Sequence, residues 1–154
     1  MIFWIVEDDH EQAQDTVEQI RLHYPTAEIH RVTTEHEFRD KFTQIVGADL
    51  VILDLILRWT DAKPEMPSRP DDVKSGGSDR AGLRCLELLR AGERTRLIPV
   101  ILYSVLPKDE LTSPWREIAE SVPYLDKSDA HDQLLETIRS LLKVPSPGEA
   151  PQSV

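Results

Sequence analysis

Short apolar runs alternate with amphipathic segments along the chain. The runs fall at 2 to 6 (IFWIV), 27 to 32 (AEIHRV), 49 to 55 (DLVILDL), 98 to 104 (IPVILYS) and 122 to 126 (VPYLD). The first, third and fourth are almost continuously apolar, as strands covered on both faces must be, so they belong at the centre of a sheet. The second and fifth carry more polar residues and belong nearer its edges. Between the runs, 9 to 24 places Ala13, Val17, Ile20 and Tyr24 on one helical face, and 81 to 93 does the same with Leu83, Leu86 and Leu89. Segments 34 to 46 (Phe38, Phe42, Ile45) and 131 to 144 (Leu134, Leu135, Ile138, Leu142) read likewise. A helix over 107 to 121 is weaker, because Pro114 lacks a donor and should shorten, kink or restart it. Strand and helix in alternation predict an α/β domain with a mostly parallel sheet.

Two segments escape the pattern, 58 to 81 and the tail from 145 to 154. Both are rich in proline, and the first adds the run Ser75-Gly76-Gly77-Ser78. The expected organisation is one domain over 1 to 144, interrupted at 58 to 81 between the third strand and third helix and followed by a disordered tail. No internal repeat is visible, and nothing resembles a second folded domain.

The chain has 154 residues, 40% apolar and 30% charged, which suits one domain with a sizeable core. A formal net charge of -10 leaves no surplus of Lys and Arg for phosphate backbones or anionic lipid, so DNA binding is not expected and a basic partner or a cation fits better. Cys85 is the only cysteine, which rules out a disulfide or a cysteine metal site within one chain and is compatible with a reducing cytoplasm. The opening MIFWIVEDDH turns acidic after six residues and has no basic flank, so neither a signal peptide nor membrane insertion is expected.

In an open parallel sheet, ligands bind at the carboxyl ends of the strands. Here those ends carry Glu7, Asp8 and Asp9 after the first run, Asp54 in the third, Ser104 closing the fourth, and Lys127 after the fifth. Taken singly, each has an ordinary explanation: a solvated turn with Asp9 as helix N-cap, a strand end, a buried hydroxyl, a surface lysine. Together the carboxylates repel one another unless a cation shares them, and hard oxygen ligands suit Mg²⁺. A carboxylate beside such a cation can attack phosphorus, with a lysine and a hydroxyl stabilising the phosphoryl oxygens.

At these residues the chain resembles the receiver domains of two-component response regulators. The resemblance rests on IVEDD, on LVILDL with Asp54, on IPVILYS with Ser104 and on YLDKS with Tyr124 and Lys127, and it spans residues 1 to about 143 without 58 to 81. It implies a flavodoxin-like doubly wound fold, a five-stranded parallel sheet of order 2-1-3-4-5 with helices on both faces. It implies that Asp54 accepts a phosphoryl group from a histidine kinase or phosphotransfer protein, with Lys127 and Ser104 contacting the phosphoryl. The Mg²⁺ ligands would be Asp8, Asp54 and the backbone carbonyl of Ile56, with Glu7 acting largely through water. Ser104 and Tyr124 would form the switch. The protein is then expected to be a stand-alone cytoplasmic phospho-switch rather than an enzyme, limited to self-phosphorylation and slow autodephosphorylation. It would signal to an unnamed protein target through the face of the fourth helix, fifth strand and fifth helix, a face that also allows a homodimer.

Three departures qualify this. Arg58 stands where a proline usual in the family would lie, and the equivalent glycine, Gly82, comes about twenty residues late, far beyond typical α/β loops. Ser128 follows Lys127 in place of a proline, so a trans bond is expected there. Val105 follows Ser104 where a smaller residue is usual, and could narrow access. These leave open a degenerate receiver that binds partners without phosphorylation. A metal-dependent phosphatase is also open, although Ile56 occupies the position where such an enzyme would need a second aspartate. The insertion is either a tolerated loop or a lid over Asp54. Trp59 and Trp115 either pack locally or anchor a partner; His10, His23, His30, His36 and His131 show no metal-ligand spacing.

Overall fold

The computed structural model describes residues 1 to 128 and 131 to 143, so the tail expected to be disordered lies outside the described residues. The elements are β1 (Ile2–Val6), α1 (His10–His23), β2 (Glu28–Val32), α2 (Glu35–Asp40), β3 (Leu50–Leu53), α3 (Asp71–Gly76), α4 (Ala81–Ala91), β4 (Val100–Ser104), α5 (Trp115–Glu120), β5 (Tyr124–Asp126) and α6 (His131–Leu142). The strands form one parallel sheet in the order β2-β1-β3-β4-β5. The three most apolar runs are therefore the three inner strands.

Both sheet faces are covered, and the two-residue period divides the strand side chains between them. Phe3, Ile5, Leu50, Ile52, Ile101 and Tyr103 pack with α1 and α6 through Val17, Ile20, Leu134 and Ile138. Trp4, Val6, Val51, Leu53, Val100 and Leu102 pack with α2, α4 and α5 through residues such as Phe38, Leu86 and Ala119. No helix among the described residues is long and apolar enough to cross a membrane.

Two expected helices are shorter than their hydrophobic spacing implied. The α-helix that begins at Glu35 ends at Asp40 and continues as a 3₁₀ helix over Phe42–Gly47, because Thr43, Ile45, Val46 and Gly47 favour the α-helix poorly. Segment 107 to 121 divides at Pro114: a 3₁₀ turn over Lys108–Glu110 precedes it, and α5 restarts directly after it.

The interruption after β3 is folded against the domain. It leaves and re-enters through a narrow neck, where the Leu57 N–H donates to the Ser78 carbonyl (3.1 Å) and the Gly82 N–H to the Leu55 carbonyl (2.9 Å). Gly82 is needed there, since a Cβ would come within 2.0 Å of the Asp54 carbonyl oxygen. The Arg58 and Trp59 carbonyls accept from the Glu35 and His36 N–H groups at 3.1 and 2.9 Å, completing the donors that the first turn of α2 leaves unmet. Trp59 is only 6% exposed, donates its indole N–H to the Pro67 carbonyl (3.0 Å) and packs edge-on to His36. Trp115 packs partly buried against the core on the α4 and α5 side. Trp59 thus takes the packing role of the two that were open, while Trp115 packs locally with part of its surface still exposed. The six-residue α3, absent from the sequence pattern, buries Val73.

Charge ties the same segment down. Arg84 on α4 grips Glu35 with Nε (2.8 Å) and Nη2 (2.7 Å), and both side chains are almost wholly buried. Arg39 extends the chain of charges, donating to Glu35 (3.0 Å) and to Asp72 on α3 (2.9 Å).

Candidate functional site

Glu7, Asp54 and Lys127 each sit one step past a strand, where the sheet ladder still holds the backbone, and Ser104 closes β4. The Glu7 N–H donates to the Val32 carbonyl (2.9 Å), Asp54 to Val6 (3.0 Å) and Lys127 to Ser104 (3.0 Å). This aligns Glu7, Asp54, Ser104 and Lys127 along the carboxyl edge of the sheet. Glu7, Asp54 and Ser104 are at most 6% exposed.

Lys127 is the centre of the cluster. Its ammonium donates to Asp54 Oδ2 (2.7 Å), to Glu7 Oε2 and to Gln12 Oε1 (2.8 Å), which uses all three of its protons. The other Asp54 oxygen accepts from the Ile56 N–H (3.2 Å), and the other Glu7 oxygen from the Asp9 N–H (2.8 Å). Burial first, then the nearby charge of Asp54, push the Glu7 carboxyl up to about 7 against the pull of Lys127. For Lys127, burial works against the charge but the carboxylates of Asp54 and Glu7 outweigh it and hold the ammonium above its ordinary range. The pocket carries more negative charge than one ammonium neutralises.

Asp8 stands apart from that cluster. Its Oδ2 accepts from the backbone N–H of Arg58 (3.1 Å), and Arg58 Nη2 donates to the Asp8 carbonyl (2.8 Å). Among the described residues no three acidic, histidine or cysteine side chains converge on a metal-sized space. Lys127 lies between Glu7 and Asp54, and Arg58 draws Asp8 toward the insertion. The oxygen donors of Glu7, Asp8 and Asp54 are nevertheless of the kind that suits a hard divalent cation.

On the far side, Ser104 and Tyr124 meet at one residue. The Leu106 N–H donates to Ser104 Oγ (3.3 Å), while the Tyr124 hydroxyl donates to the Leu106 carbonyl. Burial and the charges of Asp126 and Asp54 push the Tyr124 phenol up to about 12. Val105 projects outward, 55% exposed, beside a cleft of about 340 Å³ that reaches Lys127 and Gln12, so it borders the approach without filling it. The Lys127–Ser128 bond is trans, as expected without proline.

Asp9 caps α1 by accepting from the Gln12 N–H (3.0 Å), as its position suggested. Gln12 itself was missed, although it lies one helical turn beyond Asp8 and so had to face the same edge. Arg58 stands in sequence as a missing proline and as one of the insertion's cations, and its specific hold on Asp8 carries no signal there.

The fold has counterparts among solved structures. A signal receiver domain of a two-component histidine kinase from Clostridium thermocellum superposes with a TM-score of 0.69 at 18% identity, over 93% of this chain and 98% of that one. The fold is that of a receiver domain. The receiver domain of a DNA-binding response regulator from Colwellia psychrerythraea 34H gives 0.67 at 21% identity, over 93% and 98%, and a two-component response regulator from Clostridium difficile gives 0.64 at 16%, over 94% and 97%. No protein-family model and no curated protein matches the chain. The receiver fold accounts for the strand order and for the edge at which Asp54, Glu7, Ser104 and Lys127 gather.

Proposed function

We propose that the protein is a response-regulator receiver that accepts a phosphoryl group on Asp54 from a histidine kinase or phosphotransfer protein. The observation that carries this reading is the ammonium of Lys127, which follows β5 and is held 2.7 Å from Asp54 at the end of β3, with Ser104 buried at the end of β4 between them. A carboxylate oxygen of Asp54 attacks phosphorus, the bond to the donor histidine nitrogen breaks, and the histidine leaves with its electron pair and takes a proton. Lys127 exchanges a carboxylate partner for a phosphoryl oxygen, and the Ser104 hydroxyl donates to another. Mg²⁺ held by Asp8, Asp54 and the Ile56 carbonyl, with Glu7 acting through water, would supply the charge neutralisation that phosphoryl transfer requires.

The contacts at Leu106 support a switch role for Ser104 and Tyr124: once Ser104 turns to the phosphoryl group it releases the Leu106 N–H, and Tyr124 loses the geometry of its carbonyl partner. The consequence would pass to the face of α5, β5 and α6 and be read there by a target protein or a second copy of the chain. The chain then works as a switch and not as a turnover enzyme.

A second reading, a receiver that binds partners without phosphorylation, is favoured by the hold of Arg58 on Asp8 and by the full occupation of Lys127. Titration with beryllofluoride and Mg²⁺, read by spectra of Tyr124 and α5, decides between them. The phospho-switch predicts a saturable, Mg²⁺-dependent change that is lost in Asp54→Asn; identical flat responses from both proteins would establish the second reading instead.

A further inference from the structure

Beneath the insertion lies a polar cavity of about 300 Å³ that none of Glu7, Asp54, Ser104 or Lys127 lines. Its walls include Arg58, Trp59, Arg69, Lys74 and Arg84, with Glu35 as the only acid among its lining residues. Four cations therefore face one carboxylate, and that carboxylate is already committed. Its Oε1 takes Arg39 and Arg84 Nε, and its Oε2 takes Arg84 Nη2.

Of the four cations Arg69 and Lys74 are the least committed, since Arg84 is paired with Glu35 and Arg58 Nη2 donates to the Asp8 carbonyl (2.8 Å). Arg84 is 3% exposed, and its remaining nitrogen, Nη1, is buried against Gly76, so it adds charge to the wall without offering a donor to the cavity. Arg69 is exposed and makes no ion pair among the described residues. Arg58 lies 3.9 Å from Asp8 and 3.5 Å from Asp61, and Lys74 lies 3.9 Å from Asp71. Exposed pairs at such distances contribute little and exchange readily.

We propose that this cavity is a binding site for a phosphate dianion, as inorganic phosphate or as a small phosphomonoester. The charge complement is that of an oxyanion site, in which guanidinium groups take oxygens in pairs and a lysine adds a point charge. The volume lies at the lower end of small-ligand cavities, which limits the ligand to a phosphate with a few carbons, packed against Trp59. The site is built wholly from the insertion, α2 and α4, so it is independent of the phosphoacceptor reading.

The test is calorimetric titration of the full chain carrying Asp54→Asn, which removes the acceptor, with inorganic phosphate and separately with glycerol 3-phosphate. Saturable binding of either probe is expected, weakened at least about tenfold by the exposed pair Arg69→Ala/Lys74→Ala. Lys63→Ala, an insertion cation outside the cavity, should leave it unchanged. Tighter binding of glycerol 3-phosphate assigns the site to an ester, and equal or weaker binding assigns it to free phosphate. The proposal fails if neither probe binds at millimolar concentration, if Arg69→Ala/Lys74→Ala binds as the parent does, or if Lys63→Ala weakens binding as much as that pair. Urea unfolding of each variant establishes that the fold is retained before its titration is compared.

Discussion

Replacing Glu35 by glutamine should be among the most damaging single substitutions in this chain. Glu35 and Arg84 have side chains 1% and 3% exposed, joined by two hydrogen bonds of 2.7 and 2.8 Å, and Arg39 adds a third to Glu35 at 3.0 Å. Glu35→Gln leaves the Arg84 charge buried without a counter-ion, and losing one member of such a pair costs about 3–5 kcal/mol. For a domain of this size that corresponds to a fall in Tm of about 6–20 °C. The outer member of the chain behaves differently. Asp72 is 54% exposed, and Asp72→Asn should cost less than about 1 kcal/mol. The double substitution Glu35→Leu/Arg84→Met removes both buried charges together and should recover most of the loss. Urea unfolding followed by far-UV circular dichroism measures all three. A Glu35→Gln protein within about 1 kcal/mol of the parent, or a double variant as unstable as that single one, would refute the reasoning.

Three further outcomes are expected. The folded-state carboxyl of Glu7 lies at about 7, above its ordinary value of 4.5, so its contribution to stability is fully present below about 4.5 and is lost as pH rises through about 7. Stability of the parent relative to Glu7→Gln should fall across that window by up to about 3 kcal/mol, and a pH-independent difference in urea unfolding would contradict it. Gly82→Ala forces a methyl group onto the Asp54 carbonyl oxygen and should cost about 1–3 kcal/mol while displacing the acceptor, so unfolding and beryllofluoride affinity should weaken together. Gln12→Ala removes one of three acceptors around Lys127 and should cost about 1–2 kcal/mol in thermal unfolding, with a weaker beryllofluoride complex because Lys127 is no longer aimed at the group that stands in for the phosphoryl.

The central place of β1, β3 and β4 was legible because buried parallel strands have to be apolar on both faces, and the polar groups at their ends stand out; the full strand order came only with the family resemblance. The Ser104 and Lys127 positions follow from the same rule. Length was harder to read than type: Phe38, Phe42 and Ile45 lie at helical spacing, yet the β-branched residues and Gly47 between and after them break the α-helix at Asp40. The charges of Glu35 and Arg84 were invisible as core residues, since each sits in an amphipathic segment where an acid or an arginine is ordinarily solvated. Only the packing of α2 against α4 makes them buried partners. Trp59 gave no indication of burial either, because the groups that surround it, Pro67, His36 and Arg39, are brought there by the path of the insertion. The short α3 has one buried side chain, too few for any periodicity to register.

The neck at Leu57 and Ser78 has a consequence for how this chain can vary. Its two sides are joined by backbone hydrogen bonds, so the segment beyond it begins and ends at nearly the same point in space. Changing the number of residues hung from such a closed base alters chain-closure entropy only slowly. Arg58 and Trp59, which complete the first turn of α2, lie on the near side and can stay while residues further out are shortened, lengthened or exchanged. The receiver fold here therefore carries a socket, a position where the inserted segment can be replaced without redrawing the sheet beneath it.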